Sequence, residues 1–84
     1  MNKEQLTEYL KNTLAKIMET DVEELDENSS FFKLGVTSIQ ALKVINKMRK
    51  TLNVEINPAV VFEYKCISEL AEYLENLTME MKTN

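Results

Sequence analysis

Leu6, Leu10, Leu14 and Ile17 recur along the start of the chain at intervals of three and four, with Tyr9 and Met18 widening the stripe. Glu4, Glu8, Lys11, Asn12 and Lys16 fall on the other side. This period predicts an amphipathic helix from about Lys3 to Met18, one face of which must be buried. The period breaks from Glu19 to Leu34, where six acidic residues and the turn-forming Asn28, Ser29 and Ser30 give way to Phe31, Phe32 and Leu34. That pattern predicts a long connection held to the core by Val22, Leu25 and either Phe31 or Phe32. The helical period resumes after Thr37. At about 100° per residue, Ala41, Val44, Ile45, Met48 and Leu52 share one side, while Ile39 falls opposite among Lys43, Asn46, Lys47 and Lys50. Thr37 followed three positions later by Gln40 is a capping-box pattern.

Asn53-Val54-Glu55-Ile56 reads as a short extended link with Val54 and Ile56 turned inward. Asn57 as cap and Pro58 at the first helical position predict a helix of one or two turns through Glu63. Ile67, Leu70, Ala71, Leu74 and Leu77 predict the last helix, with Glu69, Glu72 and Glu75 outside. The stretch from Thr78 to Asn84 is polar apart from Met79 and Met81 and is expected to fray. No internal repeat or domain boundary is visible. The expected fold is all-α: a four-helix bundle with three longer helices, one short third helix and a long loop between helices 1 and 2. It forms a single domain over residues 1–84, with its core at about 3–77 and a polar tail at 78–84.

Composition agrees with this and removes several functions. Hydrophobic residues make up 44% of the 84-residue chain, too many for a disordered segment. One Gly and one Pro leave too few turn formers for a small sandwich or barrel. A net charge of −4 argues against nucleic-acid binding through phosphate neutralisation. No apolar run approaches the length of a membrane span, and no apolar region follows Met1-Asn2-Lys3-Glu4-Gln5 as in a secretory signal. A soluble, cytoplasmic monomer is the expectation.

There is no histidine, which removes the commonest general base and the commonest metal ligand together. With Cys66 as the single cysteine, neither an ordinary zinc site nor a Cys-His pair is available. The acidic loop does not fit a calcium loop either. Counted from Asp21, Leu25 takes the fifth position and Asp26 the sixth, where glycine is required. No catalytic or metal-binding residue is expected, which disfavours an enzyme.

Phe31-Phe32-Lys33-Leu34-Gly35-Val36-Thr37-Ser38-Ile39 resembles the signature of phosphopantetheine-dependent carrier proteins. There an aromatic pair leads into Leu-Gly, and a short polar residue precedes a modified serine followed by Leu or Ile. The later Val61-Phe62-Glu63-Tyr64-Lys65-Cys66-Ile67-Ser68-Glu69-Leu70-Ala71-Glu72-Tyr73-Leu74 is similar to the same family's Phe-Glu-Tyr-Pro-Thr-Ile block. The resemblance spans roughly residues 5–77.

By position it implies that Ser38 receives a covalent 4'-phosphopantetheine arm from a phosphopantetheinyl transferase. The arm's thiol would carry acyl intermediates as thioesters between loading, condensing and modifying enzymes of a synthase, the chain itself catalysing nothing. It also implies that Thr37 and Ile39 face partners.

Three departures from the family pattern stand out. Thr37 replaces the usual Asp or His, a position that bears on transferase recognition. Lys65-Cys66 replaces Pro-Thr before the last helix. Lys43, Lys47, Arg49 and Lys50 occupy a helix that is strongly acidic in carriers of dissociated fatty-acid synthases. Lys43 and Lys47 are therefore expected to meet a partner with an acidic surface. The basic helix and the Phe-Glu-Tyr block resemble polyketide or nonribosomal-peptide carriers. Between these, the Gly-Val-Thr-Ser core lacks the Gly-Gly-His-Ser form frequent in peptidyl carriers and leans towards a polyketide acyl carrier. The alternatives are a peptidyl carrier domain of a nonribosomal peptide synthetase and an unmodified helical docking domain.

Overall fold

Helix α1 spans Lys3–Met18 and is closed at both ends by its own sequence. Asn2 Oδ1 accepts the Gln5 N–H at 2.8 Å, and Gln5 Oε1 accepts the Asn2 N–H at 3.0 Å, which satisfies two otherwise orphaned donors. At the far end Glu19 turns into the left-handed region (φ 56°), and the Thr20 N–H reaches back to the Ala15 carbonyl. The computed structural model describes residues 1–82. Among them lie five α-helices and one 3₁₀ turn, at Val22–Glu24. The helices after α1 are α2 (Phe31–Leu34), α3 (Ser38–Leu52), α4 (Val60–Glu63) and α5 (Ile67–Lys82).

The three long helices enclose one core. Leu6, Leu10, Leu14 and Ala15 enter from α1, Val44, Ile45 and Met48 from α3, and Ile67, Leu70, Ala71 and Leu74 from α5. Val60 and Val61 of α4 close one end, and Leu25 and Ile56 anchor the two long connections. Val54 packs against this cluster partly buried, in keeping with an inward-turned link. Helix α1 lies against both α3 and α5. The Tyr9 hydroxyl meets Thr51 Oγ1 at 2.7 Å near the end of α3, and the Lys3 N–H donates to Glu75 Oε2 at 2.6 Å on α5.

Helix α4 starts at Val60 rather than at Pro58, since Asn57 Oδ1 accepts the Ala59 N–H at 3.0 Å in a turn that precedes the helix. Two further features differ from the expected layout. The connection between the first two long helices contains the 3₁₀ turn and the single-turn helix α2, which the sequence pattern reads as loop. Ser30 Oγ accepts the Lys33 N–H at 3.0 Å to start α2, and Gly35 (φ 83°) ends it. Four residues complete barely one turn, too short to leave a period in the sequence. Phe31 is the aromatic that packs on the core, while Phe32 is 93% exposed. The second difference is at the C-terminus. Helix α5 continues past Leu77 to Lys82, and Thr78 is buried with its hydroxyl donating to the Glu75 carbonyl at 3.0 Å. Within the tail expected to fray, 83–84 lie outside the described residues.

Candidate functional site

Gly35 sets the geometry of the segment that leads into α3. Its left-handed backbone lets the Gly35 and Val36 N–H groups turn back onto the Phe32 and Phe31 carbonyls at 3.1 and 2.9 Å. A Cβ at Gly35 would meet nothing within 4 Å, so glycine is needed there for conformation and not for space. The loop is also clasped from outside. The Phe31 N–H donates to the Lys65 carbonyl at 2.8 Å, the Ser68 N–H to the Glu27 carbonyl at 3.0 Å, and Ser30 and Cys66 form an isolated antiparallel bridge. Lys65-Cys66, the departure before the last helix, thus holds the loop by backbone contacts. Helix α5 starts at Ile67 with the Leu70 N–H on the Cys66 carbonyl. Cys66 itself is buried, its thiol donating to Glu69 Oε2 at 3.4 Å.

Thr37 is the N-cap of α3, as the spacing to Gln40 implies. Its Oγ1 accepts the Gln40 N–H at 3.1 Å, and Gln40 Oε1 accepts the Thr37 N–H at 3.0 Å. With capping assigned to Thr37, Ser38 becomes the first residue of the helix and is exposed. Its hydroxyl makes no hydrogen bond within the described residues. The Ser38 and Ile39 N–H groups likewise have no acceptor there, as expected of the first helical turn. A free hydroxyl beside two unpaired donors at the positive end of a fifteen-residue helix suits a phosphodiester. The residues present therefore fit a phosphate-linked group on Ser38.

Ile39 is 67% exposed beside the serine, on the outer side of α3 as its phase requires. Lys43 and Lys47 are exposed further along α3, about 7.5 and 13.5 Å from Ser38 at 1.5 Å rise per residue. Ser38 and Ile39 are thus neighbours, whereas the two lysines lie beyond the first turn. Two exposed aromatics, Phe32 on α2 and Phe62 on α4, each sit on a four-residue helix, too short for periodicity to assign them to a face.

Comparison with known proteins places this geometry in a family. Residues 8–74 match the phosphopantetheine attachment-site family. The chain is 32% identical over 66 residues to polyketide synthase PksM of Bacillus subtilis and 33% identical over 76 residues to gramicidin S synthase 2 of Brevibacillus brevis. These alignments cover 79% and 88% of the chain but only 2% of each synthase. Among solved structures, a free-standing peptidyl carrier protein from an Acinetobacter baumannii secondary metabolic pathway superposes with a TM-score of 0.83. It is 30% identical, over 87% of this chain and 91% of that one. An HMG-ACPI domain from the CurA module of Lyngbya majuscula shares the fold, with a TM-score of 0.86 over 96% of this chain and 82% of that one, at 23% identity. This chain belongs to the phosphopantetheine attachment-site family, the helical carrier domains of polyketide and peptide synthases that hold 4'-phosphopantetheine covalently.

Proposed function

We propose that the chain is an acyl carrier of polyketide-type biosynthesis, modified on Ser38 Oγ with 4'-phosphopantetheine and without catalytic activity of its own. The observation that carries this reading is the division of labour at the start of α3. Thr37 supplies the cap, which leaves the Ser38 hydroxyl exposed and unbonded in the family's own motif. When bound, the group supplies a terminal thiol that holds an acyl chain as a thioester. The protein's part is to present and orient. Gly35 and the Thr37–Gln40 box fix the backbone under the serine, and the Ser38 and Ile39 N–H groups offer donors to a phosphodiester.

Thr37 and Ile39 border the serine and are the expected contacts for the phosphopantetheinyl transferase and for the loading, condensing and modifying enzymes of a synthase. Lys43 and Lys47 carry positive charge further along α3, on a flank turned away from the serine and suited to a partner with an acidic patch. The Gly-Val-Thr-Ser core supports an acyl over a peptidyl carrier. Similarity to the Acinetobacter peptidyl carrier favours the second reading, a carrier of aminoacyl or peptidyl thioesters.

The test is intact mass after incubation with a broad-specificity phosphopantetheinyl transferase and coenzyme A, with Ser38→Ala alongside. One added phosphopantetheine, absent from the variant, is the expected result. No gain from folded protein, beside a control carrier that is modified, would leave an unmodified docking domain as the better reading. Loading of the modified protein by malonyl- or aminoacyl-transferring enzymes then separates the acyl from the peptidyl reading.

A further inference from the structure

Helices α1 and α3 meet along a groove of about 380 Å³ on the flank of α3 turned away from Ser38. At about 100° per residue, Lys47 lies about half a turn around the helix from the serine. Tyr9, Thr13 and Ile17 form one wall as a row at four-residue spacing on α1, and Lys43 and Lys47 form the other at the same spacing on α3. Lys16 joins them at the rim.

Charge makes this groove unlike the rest of the molecule. No carboxylate lines it, although the chain carries fourteen Asp and Glu against ten Lys and Arg. Helix α3 has four Lys or Arg and no acidic residue. Among the described residues the ion pairs are Lys3–Glu72 and Arg49–Glu55, so Lys16, Lys43 and Lys47 are all uncompensated. Like charges at four-residue spacing repel, and here they do so above the half-buried Tyr9 and Ile17. From residue 9 to residue 17 the row runs about 12 Å at helical rise, two turns of a helix laid alongside.

We infer that this groove docks an acidic amphipathic helix of a partner protein, whose apolar stripe covers Tyr9 and Ile17 while its carboxylates pair with Lys16, Lys43 and Lys47. The floor is recessed between two helices, which admits the side chains of a helix rather than a flat lipid surface. Because the groove faces away from Ser38, a partner held there leaves the serine free to enter a second site. This purpose rests on the carrier reading. The docking itself does not.

The test uses the full chain, ¹⁵N-labelled, titrated with a synthetic amphipathic helix bearing a Leu stripe flanked by Glu. A control peptide has Gln at every Glu. The expected result is saturable shift changes at Tyr9, Ile17, Lys43 and Lys47 that the Gln peptide does not cause. Affinity should fall about tenfold or more in Lys16→Glu/Lys47→Glu, fall less in Lys16→Gln, and return when the peptide's Glu are replaced by Lys. Circular dichroism of each variant establishes that it is folded.

No shifts, equal binding of the Gln peptide, or shifts centred on Ile39 and Phe62 would each overturn the inference. So would a concentration-dependent dimer in sedimentation that is lost in Lys16→Glu/Lys47→Glu, since a second copy would then be the occupant. Mass gain at Ser38, measured on the wild-type protein, fails or succeeds independently of groove binding and so separates this inference from the carrier reading.

Discussion

Thr37 and Ser38 are adjacent hydroxyl residues held in different states by the turn that precedes them. Thr37 Oγ1 accepts a backbone N–H at 3.1 Å, whereas the Ser38 hydroxyl is exposed and unbonded. Losing a cap costs about 1 kcal/mol, while a surface change away from such features stays within about 0.5 kcal/mol. Thr37→Ala should therefore lower stability by about 1 kcal/mol in urea titration, and Ser38→Ala should leave the midpoint nearly unchanged. The reverse pattern would make Ser38 the cap and remove the argument for a free hydroxyl. Two left-handed residues provide a second comparison. Gly35→Ala adds a Cβ that touches nothing, so its expected cost of about 1–2 kcal/mol is purely conformational. Glu19 occupies the same region without being glycine, so Glu19→Gly should gain up to about 1 kcal/mol. Thermal melts of the two variants should move in opposite directions.

How far an element shows in sequence depends on how many times its period repeats. Helices α1 and α3 are legible because Leu6-Leu10-Leu14 and Val44-Ile45-Met48 return to the same face over several turns. The same reasoning puts Ile39 outside and finds the Thr37–Gln40 box, since both depend only on phase and spacing. Helix α2 is not legible. Its order comes from the Ser30 cap, from Gly35 and from backbone bonds that tie Phe31 to Lys65 and Glu27 to Ser68 across the molecule, none of which leaves a local period. For the same reason sequence could not choose between Phe31 and Phe32. Thr78 hides the last turns of α5, because a polar residue there is buried by bonding the Glu75 carbonyl. The groove between α1 and α3 needs two helices placed side by side, so no single stretch could announce it. A prediction at this scale concerns the exposed basic side of α3. Lys43→Glu/Lys47→Glu should slow loading by partner enzymes severalfold while shifting the urea midpoint little, because neither lysine is in an ion pair. Equal loading rates with every partner tried, at low salt as well as high, would remove these lysines from the partner surface.

At the scale of the whole molecule, one small core must hold three long helices and a clasped loop without a disulfide, and no cluster of three or more metal-ligating side chains lies among the described residues. A chain of this size is expected to be stable by only about 4–13 kcal/mol. Burial is concentrated where the three helices converge, at Leu6, Leu10, Ile45, Met48, Leu70 and Leu74. Trimming one such leucine to alanine costs about 2–5 kcal/mol in lost transfer energy and residual cavity. That is a large share of the total. Leu74 is fully buried on α5, while Leu77, one turn on, is only half-buried against the same cluster. Leu74→Ala should therefore lower the urea midpoint far more than Leu77→Ala, with the slope of the transition unchanged if both variants unfold in one step. A reduced slope for Leu74→Ala would mean that the native state itself has loosened. Because Ser68 holds Glu27 and Lys65 holds Phe31, loosening of α5 would then reach the loop beneath Ser38. Amide exchange at Gly35 and Val36 would report this directly, rising in Leu74→Ala and staying at wild-type values in Leu77→Ala. Equal exchange in both variants would show that α3 and its leading turn hold the serine in place without support from α5.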